Sequence, residues 1–353
     1  MKYIVAFLTG FFLCTPVFAQ SIVDVYGVDE KKSEKILKQH AAQIGQLEEA
    51  LQKKIFSAQG KVDKSLEKLL LQKLQLTESI KKQGNFLFVE FQTVFYPTEP
   101  AGKQFYTTIE IIEKQQPERM RFVTPKPFFT GKRKAKNNLI DSMIEYTRLE
   151  TQLIGNNEID EKKMVCPFYH CAAGFAHPKL KPYLQIFKTH TPQEKPLIIS
   201  TMNEDEDPER RAAAAFLIGQ FNDPQEIITL LLPHVLDADD GVRNNVIRVI
   251  DMTMLRANIN KINVEPFIAL LDSPYVSDRN KSLFVLLQAS KNGETQKILI
   301  EKAGNKLLAL LKLKQLNNHE IAYAILKSLS GKNYGENDLV SWQKWLTQQN
   351  KPA

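Results

Sequence analysis

Apolar positions along this chain fall into two regimes. The first opens with an apolar run from Tyr3 to Phe12 behind Met1 and Lys2, and Val17-Phe18-Ala19 closes it with the small-residue pattern that a signal peptidase cuts after. Residues 1–19 are therefore expected to be an export signal, and Gln20 the first residue of the mature chain. Thr15 and Pro16 interrupt the run, which falls short of the ~20 residues needed to span a bilayer. Ile22 to Val28 is then rich in β-branched and aromatic residues and predicts a strand closed by Gly27. Ile36, Leu37, Ala41, Ile44, Leu47, Leu51 and Ile55 recur at helical spacing, with a break expected near Gly45. A second helix is expected from Lys64, through Leu66, Leu69, Leu70, Leu74 and Ile80, to Gly84. Phe86–Tyr96 and Phe105–Glu113 read as strands, with Pro97, Pro100 and Gly102 as turn residues between them.

The resulting β-α-α-β-β order, with Gly84-Asn85-Phe86 entering the second strand and Tyr106 to Glu113 closing the unit, resembles a POTRA domain over residues 20–115. That resemblance implies a small α+β fold whose sheet edge accepts an extended peptide as an added strand. It does not bring a channel with it, because no β-barrel follows. Lys114 to Lys136 carries many cations against the single acid Glu118, and Pro117, Pro125, Pro127 and Gly131 break up any helix. It reads as a basic linker, with Lys132, Arg133, Lys134 and Lys136 as candidates for contact with an anionic surface. Asn138 to Ile154 returns to helical spacing and ends at Gly155.

From Pro178 the second regime is helix after helix. Asp207-Pro208-Glu209-Arg210-Arg211, Asp239-Asp240-Gly241-Val242-Arg243 and Ser277-Asp278-Arg279 each open an apolar helix. Asp207 to Asp239 is 32 residues and Arg243 to Arg279 is 36. A period of this size marks stacked helical pairs. The Asp-x-x-Val/Ala-Arg openings resemble the short bacterial HEAT repeat over residues 179–347. The resemblance implies an armadillo-like α-solenoid with a concave binding face. It also implies a structural ladder between neighbouring repeats, formed by Asp207/Arg211, Asp239/Arg243 and Asp278/Arg279. Trp342 and Trp345 are expected to cover the core of the last helix pair. The expected organisation is therefore multidomain α+β: a signal (1–19), a POTRA-like domain (20–115), a basic linker, helix and cysteine-bearing junction (116–178), a helical-repeat solenoid (179–347) and a short tail (348–353).

Charge and chemistry change this picture little. Lys and Arg number 47 and Asp and Glu 40, a net charge of +7 that is too small and too dispersed to argue for nucleic acid. Loss of the signal removes Cys14, leaving Cys166 and Cys171 as a pair in a chain bound for an oxidising compartment, so a disulfide is expected. Cys166, His170, Cys171 and His177 could instead supply four zinc ligands, but adjacent His170 and Cys171 would both have to face the ion. A redox-active pair is the third alternative. No cofactor motif and no catalytic motif is present, and His319-Glu320 is a single instance of the His-Glu pair that iron-binding HEAT-type enzymes repeat. The expectation is an exported, periplasmic or else secreted, non-enzymatic protein that binds a protein or peptide partner without a membrane-spanning segment after export.

Overall fold

The computed structural model describes residues 21–58, 63–96, 99, 105–124, 136, 138–156, 158–159 and 165–349. The expected signal with Cys14, the turn residues Pro97, Pro100 and Gly102, the linker residues Lys126, Lys132, Arg133 and Lys134, and the last tail residues lie outside that set. The chain is α+β, with a three-stranded sheet near the N-terminus followed by helices.

Strand β1 (Ile22–Tyr26) is followed by helices α1 (Glu30–Ala58) and α2 (Lys64–Gly84), then by β2 (Phe88–Phe95) and β3 (Phe105–Ile112). Helix α1 passes through Gly45 without the expected break: the glycine lets Ser21 come close, where a Cβ would lie 3.1 Å from the serine Cβ. Asp63 caps α2 by accepting from the Ser65 and Leu66 amides, and Asn85 ends it in the left-handed region at φ 55°. The sheet order is β1-β3-β2, with β1 parallel and β2 antiparallel to the central β3.

All eight residues of β3 are buried, which requires a cover on both faces of the sheet. Val23, Val89, Phe91, Ile109 and Ile111 pack against Ile36, Ile44, Leu76 and Ile80 of α1 and α2. On the same face Glu48, fully buried in α1, accepts from Thr93 and pairs with Lys73.

The opposite face holds the alternate residues, and the helical half covers it. Asp24 accepts from the backbone amides of Lys314 and Gln315, and Tyr26 donates to the Leu271 carbonyl. Gln92 donates to the Pro274 carbonyl and accepts from the Val276 amide, while the Tyr96 hydroxyl accepts from the Asn317 amide. At the centre, Glu110 of β3 meets Arg279 through two contacts of 2.5 and 2.8 Å, both side chains fully buried. Arg279 also lies 4.2 Å from the centre of the Tyr26 ring, and Arg119 lies 5.6 Å from it.

Arg119 belongs to the segment read as a solvated linker. Pro117–Phe122 forms a 3-10 helix instead, with Arg119 buried and donating to the Asp272 and Ile111 carbonyls. Gly27 makes room for it: at φ 97° it takes a conformation that suits glycine, and a Cβ would stand 2.0 Å from the Ile111 carbonyl oxygen and 2.7 Å from the Arg119 guanidinium.

After α3 (Leu139–Gly155) come α4 (Lys181–Gln193), α5 (Lys195–Glu204), α6 (Pro208–Ile218) and α7 (Pro224–Leu231). They are followed by α8 (Asp240–Ala257), α9 (Glu265–Leu270), α10 (Val276–Ala289), α11 (Gly293–Leu311), α12 (Leu316–Ser330) and α13 (Leu339–Gln349). Helix α6 packs on α8, α8 on α10 and α10 on α12, while α7, α9, α11 and α13 lie against this row. Trp342 is fully buried and Trp345 nearly so, closing the core at the last helix.

Removing one partner of the buried Glu110–Arg279 pair strands the other charge, so Glu110→Leu or Arg279→Met alone is expected to cost about 3–5 kcal/mol in urea unfolding. The double variant is expected to regain most of that loss.

Candidate functional site

Among the described residues, β2 is paired on one side only, by β3, and its other edge borders a groove. Leu87, Phe88, Val89 and Glu90 all line one groove of about 820 Å³. Side chains of successive strand residues point to opposite faces, so a groove touching all four runs along the edge of the strand. Its other wall is α2, where Leu70 and Leu74 are 45% and 50% exposed, and its floor includes Met120, Val123 and Tyr275. The Phe91 carbonyl of this strand accepts from Lys73 of α2, which places a cation beside the edge. Strand and helix both lie where the hydrophobic spacing predicts them, but the spacing does not separate exposed Leu70 and Leu74 from buried Leu66 and Ile80.

Arg211, Arg243 and Arg279 do not pair with their expected partners Asp207, Asp239 and Asp278, respectively. Asp207 and Asp239 cap α6 and α8 by accepting from the Glu209 and Val242 amides. Arg211 pairs with Asp237, Arg243 with Asp278, and Arg279 with Glu110 of the sheet. Each arginine also donates to the carbonyl six residues before it: Arg211 to Asp205, Arg243 to Asp237 and Arg279 to Ser273. All three stand three residues after the first residue of their helix, and His319 holds that place in α12. The His319 ring instead meets the Leu311 carbonyl at 2.8 Å and Glu336 at 3.6 Å. Of the basic set, Lys136 is the one described, and it pairs with Asp205 at 3.1 Å beside the buried Arg210.

Cys166 and Cys171 are joined as a disulfide with Cα atoms 5.7 Å apart. Their sulfurs are thus bonded to each other, and the two histidines point elsewhere. His170 is buried and stacked on Phe216, whereas His177 accepts from the Lys179 amide. The four residues proposed as zinc ligands do not converge, and among the described residues no group of three His, Cys, Asp or Glu could hold a metal ion. The Arg256 guanidinium donates to the Phe168 carbonyl and to Cys166 Sγ, clamping the loop to α8. Phe175 and Gly174 pack against Tyr146 of α3, so this segment seals the helical half internally; the join to the sheet lies at residues 271–276 and 314–317. Gly219 completes the seat, because a Cβ there would lie 2.8 Å from Val249 and 3.1 Å from His170.

Beside the loop, Glu150 of α3 and Arg248 of α8 face a cavity of about 560 Å³. Burial pushes the Glu150 carboxyl up to about 7 and Asp251 up to about 6. Burial, with Arg248, Arg256 and Lys281 nearby, pushes His170 down to about 3. Among the described residues no helix is long and apolar enough to cross a membrane.

Replacing both cysteines by serine is expected to lower stability by about 2 kcal/mol, since so short a ring removes little chain entropy. The buried titrations set opposite pH trends. Glu150 holds its proton in the folded state from its ordinary 4.5 up to about 7, so its contribution is complete below 4.5 and is lost as pH rises towards 7. His170 stays neutral from its ordinary 6.5 down to about 3, so its contribution is complete above 6.5 and is lost as pH falls towards 3. Between the overlapping limits, Glu150→Gln is expected to shift the slope of stability against pH upward by about 1.4 kcal/mol per pH unit, and His170→Leu downward by the same amount. Urea unfolding at a series of pH values checks both. Searches for relatives add no constraint: no protein-family model, curated protein or solved structure matches this chain.

Proposed function

We propose that this chain is an exported, non-enzymatic interaction protein that takes up an extended, apolar segment of a partner protein as an added strand on β2. The observation carrying this reading is the conjunction of a strand edge that is unpaired among the described residues with half-exposed Leu70 and Leu74 along one groove. An added strand gains backbone hydrogen bonds from the edge and burial of its alternate side chains from α2, the two components of strand-addition recognition. Leucines exposed singly need no explanation, but a row of them beside an open edge is a surface that association would cover.

A POTRA-like reading of residues 20–115 is supported by the β-α-α-β-β order and the mixed sheet. A HEAT-type reading of residues 179–347 is supported by the row of α6, α8, α10 and α12 and by the three arginines in equivalent positions. In that reading the helical half is a solenoid whose concave face offers a second contact surface, and its turns hold the sheet in a fixed orientation. The disulfide supports an oxidising compartment, the periplasm or the exterior.

The test uses the full mature chain and fluorescent peptides of about eight residues with alternating apolar positions. Binding is expected with protection of the Val89 and Phe91 amides from hydrogen exchange, and Leu70→Glu or Leu74→Glu is expected to weaken it at least about tenfold without lowering stability. Unaltered affinity in both variants, or protection mapping only to the helical half, would remove strand addition from the reading.

A further inference from the structure

The cavity beside the disulfide loop plays no part in strand addition. Its volume is about 560 Å³, and Ile154, Ile159, Ala172, Ala173 and Phe216 give it apolar walls. Two ionisable side chains enter it, Glu150 from α3 and Arg248 from α8. Glu150 is 5% exposed and makes no hydrogen bond or ion pair among the described residues. Arg248 contacts the Phe216 ring, 6.0 Å from its centre, and comes to no acid within ion-pairing distance among those residues.

A buried charge is costly unless it is paired. Here a carboxyl and a guanidinium share one cavity without closing on each other. A lone ammonium would satisfy Glu150 while adding a second cation beside Arg248. A lone carboxylate would satisfy Arg248 while adding a second anion beside Glu150. A molecule carrying both groups satisfies both ends at once, and its apolar remainder fits walls made of isoleucine, alanine and phenylalanine. The volume lies within the range of ordinary small-ligand pockets and exceeds what one small amino acid needs. Thr147 and Thr151 donate their hydroxyl protons to backbone carbonyls of α3, so within the cavity lining their oxygens remain as acceptors for an ammonium group.

We propose that this cavity binds a small apolar zwitterion, an α-amino acid or dipeptide with aliphatic or aromatic side chains, its ammonium on Glu150 and its carboxylate on Arg248. The site is separate from the β2 groove, so each can fail without the other.

Isothermal titration of the full mature chain with leucine, phenylalanine and leucyl-leucine tests it, with isopentylamine, phenethylamine and 3-phenylpropanoate as single-charge controls. Zwitterions are expected to bind at least about tenfold more tightly than any control, and Glu150→Gln and Arg248→Met are each expected to lose at least that factor while Leu74→Glu keeps full affinity. Zwitterion binding should also protect the amides of Ala172 and Ala173 in the unaltered protein, a readout that does not depend on either variant folding. Controls binding as tightly as zwitterions, no binding at millimolar concentration, or protection confined to another surface would each overturn the proposal.

Discussion

The buried pair of Glu110 and Arg279 fixes how the two halves of this protein meet. A glutamate in the central strand of a sheet is tolerable only if a cation reaches it with good geometry, and Arg279 arrives with two short contacts. Burial raises the Glu110 carboxyl, and the Arg279 guanidinium, with a smaller contribution from Arg119, opposes that rise. Such a pair adds little net stability compared with apolar residues, but it penalises any docking that misplaces either charge. Asp24 and Gln92 extend the same logic: each meets backbone groups in one turn of the helical half.

The same arginine closes the series begun by Arg211 and Arg243. Each fastens the turn preceding its own helix by binding a carbonyl six residues back, and each also pairs with an acid. For Arg211 that acid lies in the turn before α8, for Arg243 in the first turn of α10, and for Arg279 in the sheet. The sheet therefore occupies the acid side of the last arginine, and an arginine position shared by three helices becomes a docking device.

The elements were legible because their periodicities are clean: β1, both long N-terminal helices and the helices expected after Asp207, Asp239 and Ser277 fall close to where spacing places them. The cysteine pairing was legible from the even count left once the expected export signal is set aside. What was not legible came from residues whose role is set by distant partners. Glu110 looks like the polar position of a half-exposed strand, and only its neighbour 169 residues away makes it a buried ion. Arg119 sits in a stretch whose composition signals a solvated linker, yet burial and two carbonyls claim it. Glu150 falls in step with Met143, Tyr146 and Leu153 on the apolar stripe of α3, and spacing alone does not show that the carboxyl there borders a cavity. Leu70 and Leu74 show the opposite limit, because spacing cannot tell a buried stripe from one left exposed beside a strand.

The contacts of Asp24 carry a consequence for how the chain is made. Its carboxylate meets amides 290 and 291 residues later, and β1 is parallel to a strand formed from residues 105 to 112. Pairings this far apart in sequence are slow to form, since long loops must close before any contact rewards them. Synthesis from the N-terminus therefore delivers the first strand long before its last partners exist, and the sheet face waits uncovered until residue 315 has left the ribosome. The cover of that sheet face is therefore among the last contacts the growing chain can make, whatever its helices have formed before then.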